Sequence, residues 1–210
     1  MSATGVPAPL TETSLHEAVA ELAQRDADLA RIVARVGLPP LWAREPGFAT
    51  LILLILEQQV SLASARAAYT RLQVAIGAVT PAGVLTLSDE QMRGVGFSRQ
   101  KTGYARSLAA SIQSGHFAPE QLDRLPDEDV RRSLIALKGI GAWTAELYLL
   151  MVLRRPDAWP AGDLALASAA QQVKALAQRP SPAQLNDLAE AWRPWRAVAA
   201  RLLWHQYLSR

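Results

Sequence analysis

The chain has 210 residues, half of them hydrophobic, with a formal net charge of +3 and no cysteine. That length allows one large domain or two small ones around a sizeable core. The absence of cysteine excludes disulfides, cysteine-ligated zinc and cysteine-ligated iron–sulfur clusters, and fits a reducing compartment.

The start, MSATGVPAPLTETS, lacks a basic region followed by an apolar one, so it does not read as a signal peptide. A dozen residues there form the one stretch that reads as disordered. TSLHEAVAELAQRDADLARIVARV then repeats apolar residues at helical spacing. Ser14 is placed to cap that helix, with Glu17 at the capping-box position. GLPPLWAREPG breaks the chain with three prolines and suits a crossing between two helical bodies. FATLILLILEQQVSLASARAAYTRLQVAIG reads as two helices with a bend near Gln58–Ser61. Its apolar run, Leu51 to Leu56, is too short to span a bilayer, so a soluble, cytoplasmic protein with no membrane partner is expected. SDEQMRGVGFSRQKTGYARSLAASIQSG gives a short helix, a glycine turn and a longer helix. LPDEDVRRSLIALKGIGAWTAELYLLMVL repeats that layout. RRPDAWPAGD is a loop, followed by two further helical stretches to the end. No segment shows the period-two alternation of a strand, so the fold class is all-α.

Charge is unevenly spread. Residues 1–45 carry four Arg against six Asp and Glu, a net −2, so the remainder carries +5. The last twenty residues hold Arg193, Arg196, Arg201 and Arg210 and no acid. This bias suits a polyanion partner, and a solvated basic face equally well.

MRGVGFSRQKTGYARSLA and LKGIGAWTAELYLLMVL each set Gly-Val/Ile-Gly between two helices. Glycine lets backbone take positive φ and approach a ligand closely, and amides opening the second helix can meet a DNA phosphate. Alone, Gly-x-Gly is weak and fits an ordinary helix connection as well.

From Glu57 onward the chain resembles the helix–hairpin–helix–Gly/Pro–Asp (HhH-GPD) superfamily of base-excision DNA glycosylases, and most of all its alkylation-repair branch, the 3-methyladenine DNA glycosylase II type. EQQVSLASA, GFSRQKTGYARSLA, LKGIGAWTAELYLL with WPAGDLALASA, and WRPWRAVAARLLWH carry the resemblance in the family's order. The third is the most specific, since it joins the hairpin to Pro160-x-x-Asp163. The resemblance implies two helical bodies with a cleft between them, 1–45 plus 156–210 and 46–155. It implies no iron–sulfur cluster, and a compact form lacking the N-terminal α/β domain of larger bacterial members.

Site roles follow from the same resemblance. Asp163 is the implied catalytic carboxylate, and it also reads as an N-cap. The two fit together, because a helix N-terminus favours negative charge. A fixed anion beside the deoxyribose stabilises the positive charge that develops as the base departs, and it can orient or deprotonate water. Trp143 stands where relatives that also cut the backbone carry a Schiff-base lysine, so the implied activity is monofunctional. Trp143 and Trp204 are implied pocket residues, with Leu147 where the family often has a tyrosine and Tyr148 one position along. Both tryptophans also read as core. Electron-rich rings attract a cationic, alkylated base. Leu137, Lys138, Gly139, Ile140, Gly141 and Thr144 form the implied DNA-binding hairpin. Backbone carbonyls near Leu137 and Ile140 would hold a sodium or potassium ion, with no metal on side chains. Gln59, with its neighbour Gln58, takes the position of the wedge that fills the duplex when a base flips out, or these are helix-end glutamines. Lys138, Arg99, Lys101 and the C-terminal arginines are candidate phosphate contacts, or solvated charges. Gly162 stands where the family usually has an acid.

The implied partner is duplex DNA with alkylated bases, engaged by a monomer, on the nucleoid in a bacterium. Two other readings stand beside it: a non-catalytic DNA-binding module, and a glycosylase for other damaged or deaminated bases. Pro160 with Asp163 argues against the first. The missing hairpin lysine and cluster cysteines argue against oxidised or mismatched bases.

Overall fold

The helical periods of the sequence become twelve α-helices among residues 5–209, which this computed structural model describes. They are α1 (Glu12–Arg25), α2 (Ala27–Val36), α3 (Phe48–Glu57), α4 (Leu62–Ile76), α5 (Pro81–Thr86), α6 (Asp89–Gly94), α7 (Arg99–Gln113), α8 (Asp127–Ile135), α9 (Ala142–Leu147), α10 (Leu164–Val173), α11 (Pro182–Glu190) and α12 (Arg196–Leu208). A 3-10 turn covers Pro119–Arg124 and a π-helical turn covers Tyr148–Val152. The described residues contain no strand.

Two compact units divide the chain: residues up to Ala43 with those from Glu146 onward, and Arg44–Ala145. The second boundary therefore falls ten residues before position 156, where the family resemblance sets it. The reason is local. The helix begun at Ala142 does not stop but widens into the π turn, and Tyr148, Leu149, Leu150 and Val152, all of the first unit, are buried.

In the first unit α12 packs against α1, α2, α10 and α11. It is apolar almost all round, with Ala197–Trp204 buried without interruption, as a central helix should be. The long N-terminal pattern is two helices rather than one. Asp26 ends α1 in an extended conformation, and its carboxylate then caps α2 by accepting from the Asp28 and Leu29 amides. The same carboxylate accepts from Lys174 Nζ and Trp192 Nε1 at 2.7–2.9 Å. Burial opposes its charge, but the hydrogen bonds from Lys174 and Trp192 outweigh that and hold its pKa below the ordinary carboxylate value. The cap of α1 is Thr11, with Ser14 rather than Glu17 completing the capping box. The segment before it is anchored, since Leu10 is buried and donates its amide to Arg154 O at 2.8 Å.

In the second unit α7 packs against α3, α5 and α6, and α3 against α4. Every residue of α3 except Ala49 and Leu53 is buried, which explains its unbroken apolar run. Glu57 closes that helix at its negative end, where an acid is unfavourable. Arg44 answers it with a two-pronged pair, Nη1 to Oε2 at 2.8 Å and Nη2 to Oε1 at 2.9 Å. No helix of the described residues is long and apolar enough to cross a membrane.

Candidate functional site

In the first unit the loop Asp157–Asp163 feeds α10. Glu146 Oε2 accepts the Trp159 amide at 2.9 Å, and the Asp163 amide turns back onto Pro160 O at 2.9 Å. Asp163 then caps α10, its Oδ1 accepting from the Leu166 amide at 2.8 Å. Trp204, on the central helix, donates its indole Nε1–H to the same Oδ1 at 3.1 Å. Two elements far apart in sequence thus fix one half-buried carboxylate oxygen.

Trp204 is 92% buried, but its ring stays against another aromatic: Trp42 packs edge-on at 6.4 Å between centroids. Trp42 was invisible to motif reading. It is half-buried and adopts φ 49°, a left-handed conformation that is costly for a bulky L-residue. Such strain persists only where the surroundings over-determine it. Arg201 supplies part of that determination. Its guanidinium is wholly buried and donates to Leu41 O, Ala197 O and Leu150 O at 2.7–3.0 Å. Burial pulls its pKa down to about 10, which leaves it charged at neutral pH. The Leu150 oxygen lies in the π turn, so a single arginine ties that turn to the residue before Trp42. The one sequence signal for Trp42 was a tryptophan between helix-breaking prolines.

Several expected contacts are corrected. Leu147, the last residue of α9, is 96% buried, and Tyr148, the first of the π turn, is fully buried. Arg201 is spent on backbone carbonyls. Arg193 and Arg196 pair with Asp157 and Glu190, so they are structural ties of the loop that leads to Asp163. Arg210 lies outside the described residues. Lys101 Nζ donates to Leu56 O at 2.7 Å and Gln58 O at 2.8 Å, and burial lowers its pKa. It caps the C-terminal end of α3 rather than waiting for a phosphate. Arg99 and Lys138 are exposed.

In the second unit the hairpin of α8 and α9 turns at Gly139, φ 86°. An added Cβ there would lie 2.2 Å from the Tyr104 ring. Ile140 is buried under the turn, and its amide donates to Leu137 O at 3.1 Å. A monovalent ion, which the family resemblance implies at the Leu137 and Ile140 carbonyls, would share the Leu137 oxygen with that bond, since a carbonyl has two lone pairs. Gly141 follows with ordinary φ and open space around its Cβ position. Trp143 is half-buried at the second residue of α9.

The two glutamines of EQQV part company. Gln58 Nε2 donates to Gly139 O at 2.9 Å and Thr144 Oγ1 at 3.1 Å, so it staples the α3–α4 turn to the hairpin. Gln59 is exposed, with φ 57°, beside the exposed Val60 and Leu62. The sequence places both glutamines at one turn, but only the hairpin carbonyl distinguishes them.

Residues 52–194 match the family model described as HhH-GPD superfamily base excision DNA repair protein. DNA-3-methyladenine glycosylase 1 of Schizosaccharomyces pombe is 30% identical over 91% of this chain and 87% of its own length. The probable bifunctional transcriptional activator/DNA repair enzyme AlkA of Mycobacterium tuberculosis is 34% identical over 90% of this chain and 39% of its own. Among solved structures, the S. pombe glycosylase Mag1 in complex with abasic DNA superposes with a TM-score of 0.84, covering 90% of this chain and 95% of that one at 30% identity. A DNA-3-methyladenine glycosidase from Bacillus halodurans gives 0.73, covering 92% and 89% at 30% identity. With an all-helical fold, a GIG hairpin and a capped Pro160-x-x-Asp163 all in the family's order, the chain belongs to the HhH-GPD superfamily of base excision DNA repair proteins.

Proposed function

We propose that this chain is a monofunctional DNA glycosylase that hydrolyses the N-glycosidic bond of alkylated, cationic bases in duplex DNA. The observation that carries the chemistry is the Asp163 carboxylate, held at the N-terminus of α10 by the Leu166 amide and the Trp204 indole. As the bond between C1′ and the base nitrogen lengthens, its electron pair leaves with the base, and positive charge builds on the sugar. An alkylated purine is already cationic, so it departs as a neutral molecule without acid assistance. Asp163 stabilises the oxocarbenium-like sugar, and water adds its oxygen to C1′ while its proton passes to the carboxylate or to solvent.

The indole hydrogen bond gives Trp204 a second task besides stacking. It holds the carboxylate while its ring, with Trp42 edge-on, offers π density to a cationic base, an attraction of about 0.5–2 kcal/mol. Trp143 supplies no amine for Schiff-base chemistry, so the product is an intact strand with an abasic site. The hairpin from Leu137 to Gly141 meets backbone phosphate, and Gln59 enters the duplex where the base leaves it. The enzyme works as a monomer in the cytoplasm.

Asp163→Asn tests the assignment. The amide keeps an oxygen to accept from Leu166 and Trp204, so folding and DNA binding stay near wild type. Single-turnover excision from a duplex with one 3-methyladenine falls at least about tenfold, about 1.4 kcal/mol of barrier. Equal excision by the two proteins would remove Asp163 from the chemistry.

A further inference from the structure

Of the candidate phosphate contacts, Arg99 lies in the lining of a pocket of about 440 Å³ in the second unit, formed by Asp89 and Arg93 of α6 and by Arg99, Thr102, Gly103 and Arg106 of α7. Three guanidinium groups face one carboxylate, an excess of two positive charges. Arg106 is oriented by Asp89 Oδ1 and Leu87 O, both at 2.8 Å, while its Nε is buried without a hydrogen-bond partner. Arg93 and Arg99 form no ion pair among the described residues.

Gly103 is a second, independent sign. It lies in the interior of α7, where glycine weakens a helix relative to alanine. Nothing lies within 4 Å of an added Cβ, and its φ is not left-handed. Neither packing nor backbone conformation therefore requires glycine there, and a side chain at this lining position would extend into the pocket.

We propose that this pocket binds a phosphate group, and that the phosphate belongs to the backbone of the same duplex the hairpin holds. Guanidinium forks match the paired oxygens of a phosphate, and Arg93 and Arg99, which form no ion pair among the described residues, supply them. Position on α7 identifies the source. Residues 99, 102, 103 and 106 form one face of the helix. From another face Tyr104 packs on Gly139, and Lys101 holds the carbonyls of Leu56 and Gln58. The pocket is thus about one helix diameter, roughly 10 Å, from the hairpin, a span of two or three phosphates along a strand. The choice of source rests on the DNA-glycosylase reading; the phosphate chemistry does not.

The test uses the whole chain and an undamaged duplex, so that excision chemistry does not enter. Arg93→Gln with Arg99→Gln removes two charges; Gly103→Leu keeps every charge, fills the pocket and favours the helix. Circular dichroism checks folding. Anisotropy titrations over a range of salt should show the double variant's slope of log K against log salt shallower by about 1.8, two contacts at about 0.9 each. Gly103→Leu should bind about tenfold more weakly at fixed salt. Thermal shifts with inorganic phosphate and with a nucleoside 5′-monophosphate form the second arm. Unchanged DNA binding, with stabilisation by either free phosphate in wild type only, would overturn the duplex as source and assign the pocket to a free phosphate monoester. Unchanged DNA binding and no such stabilisation would overturn the site altogether. A wild-type protein that binds no duplex would instead overturn the glycosylase reading.

Discussion

Gly94-Val95-Gly96 and Gly139-Ile140-Gly141 share a pattern, but their glycines do not correspond. The left-handed residue of the first turn is its second glycine, Gly96 at φ 102°; in the second turn it is the first glycine, Gly139 at φ 86°. Each lies three residues before its next helix, α7 from Arg99 and α9 from Ala142. Aligned this way, Gly96-Phe97-Ser98 matches Gly139-Ile140-Gly141. Phe97 and Ile140 are both buried, and the true repeat is a left-handed glycine, an apolar anchor and a cap. The caps differ. Ser98 accepts the Lys101 amide at 3.2 Å and closes its own helix. Gly141 has no side chain to do so, and its surroundings are open. One hairpin is closed by its own side chain, while the other has glycine at the cap position of its helix, where the proposed phosphate contact would fall.

The largest effect should come from Gly139→Ala. Its φ disfavours any L-residue, and the new Cβ would lie 2.2–2.6 Å from three Tyr104 ring atoms. Strain and overpacking together should cost more than about 3 kcal/mol in thermal or urea unfolding. Adding Tyr104→Ala should restore the packing share and leave the backbone share. If the single variant loses under about 1 kcal/mol, Gly139 does not hold the turn.

Gly96→Ala should cost less, about 1–2 kcal/mol, mostly backbone strain. Its tightest contact, 2.6 Å, is with Arg71 Nη2, the far end of a flexible side chain, and the next is Ala68 Cβ at 3.1 Å. If Gly96→Ala proves as damaging as Gly139→Ala, the two turns are equally rigid and the contrast between them disappears.

These two variants also mark what the sequence could and could not reveal. The helices, the α3–α4 bend and the two hairpins are legible because helical period and glycine punctuation are local signals. Asp163 is legible as a cap and, through the Pro160-x-x-Asp163 spacing, as a family residue. Trp42, the Gln58 staple and the Arg201 clamp are not, because each depends on partners 51 to 162 residues away. The arginines near the C-terminus mislead for the same reason: charge count is local, but Asp157 lies 36 and 39 residues from Arg193 and Arg196. The π turn is not legible either, since nothing in YLLMV distinguishes an extra residue per turn from an ordinary α-helix.

Gly141→Val tests the open cap itself. Because its φ is ordinary and its Cβ would meet nothing within 4 Å, the variant should fold with little change in melting temperature. The branched side chain would stand where backbone must approach phosphate. Affinity should fall about tenfold, about 1.4 kcal/mol, for lesion-bearing and undamaged duplexes alike, because phosphate contacts carry no base information. Ser98→Gly is the counterpart. It should cost a few tenths of a kcal/mol of stability and leave affinity alone. Unchanged binding by Gly141→Val at one fixed salt concentration would make the second hairpin as closed as the first.

A further effect concerns the support between the hairpins. Lys101, three residues beyond the Ser98 cap, donates to Leu56 O and Gln58 O and so holds the turn that carries Gln59. Lys101→Met keeps the length and apolar stem but removes both bonds. A net loss of about 1 kcal/mol is expected, because the freed carbonyls at the end of α3 regain water. Amide exchange should rise across residues 58–61 and stay level in α12, which belongs to the other unit. The lysine's lowered pKa sets the sign at alkaline pH. Its native form gives up the proton earlier than its unfolded form, so in that window the unfolded chain binds more protons, and this group's share of stability rises with pH. The Met variant should lack that rise. An unchanged stability-versus-pH curve above neutrality, with unchanged exchange at 58–61, would show that Gln58's bonds to Gly139 and Thr144 fix the turn without help from the first hairpin's helix.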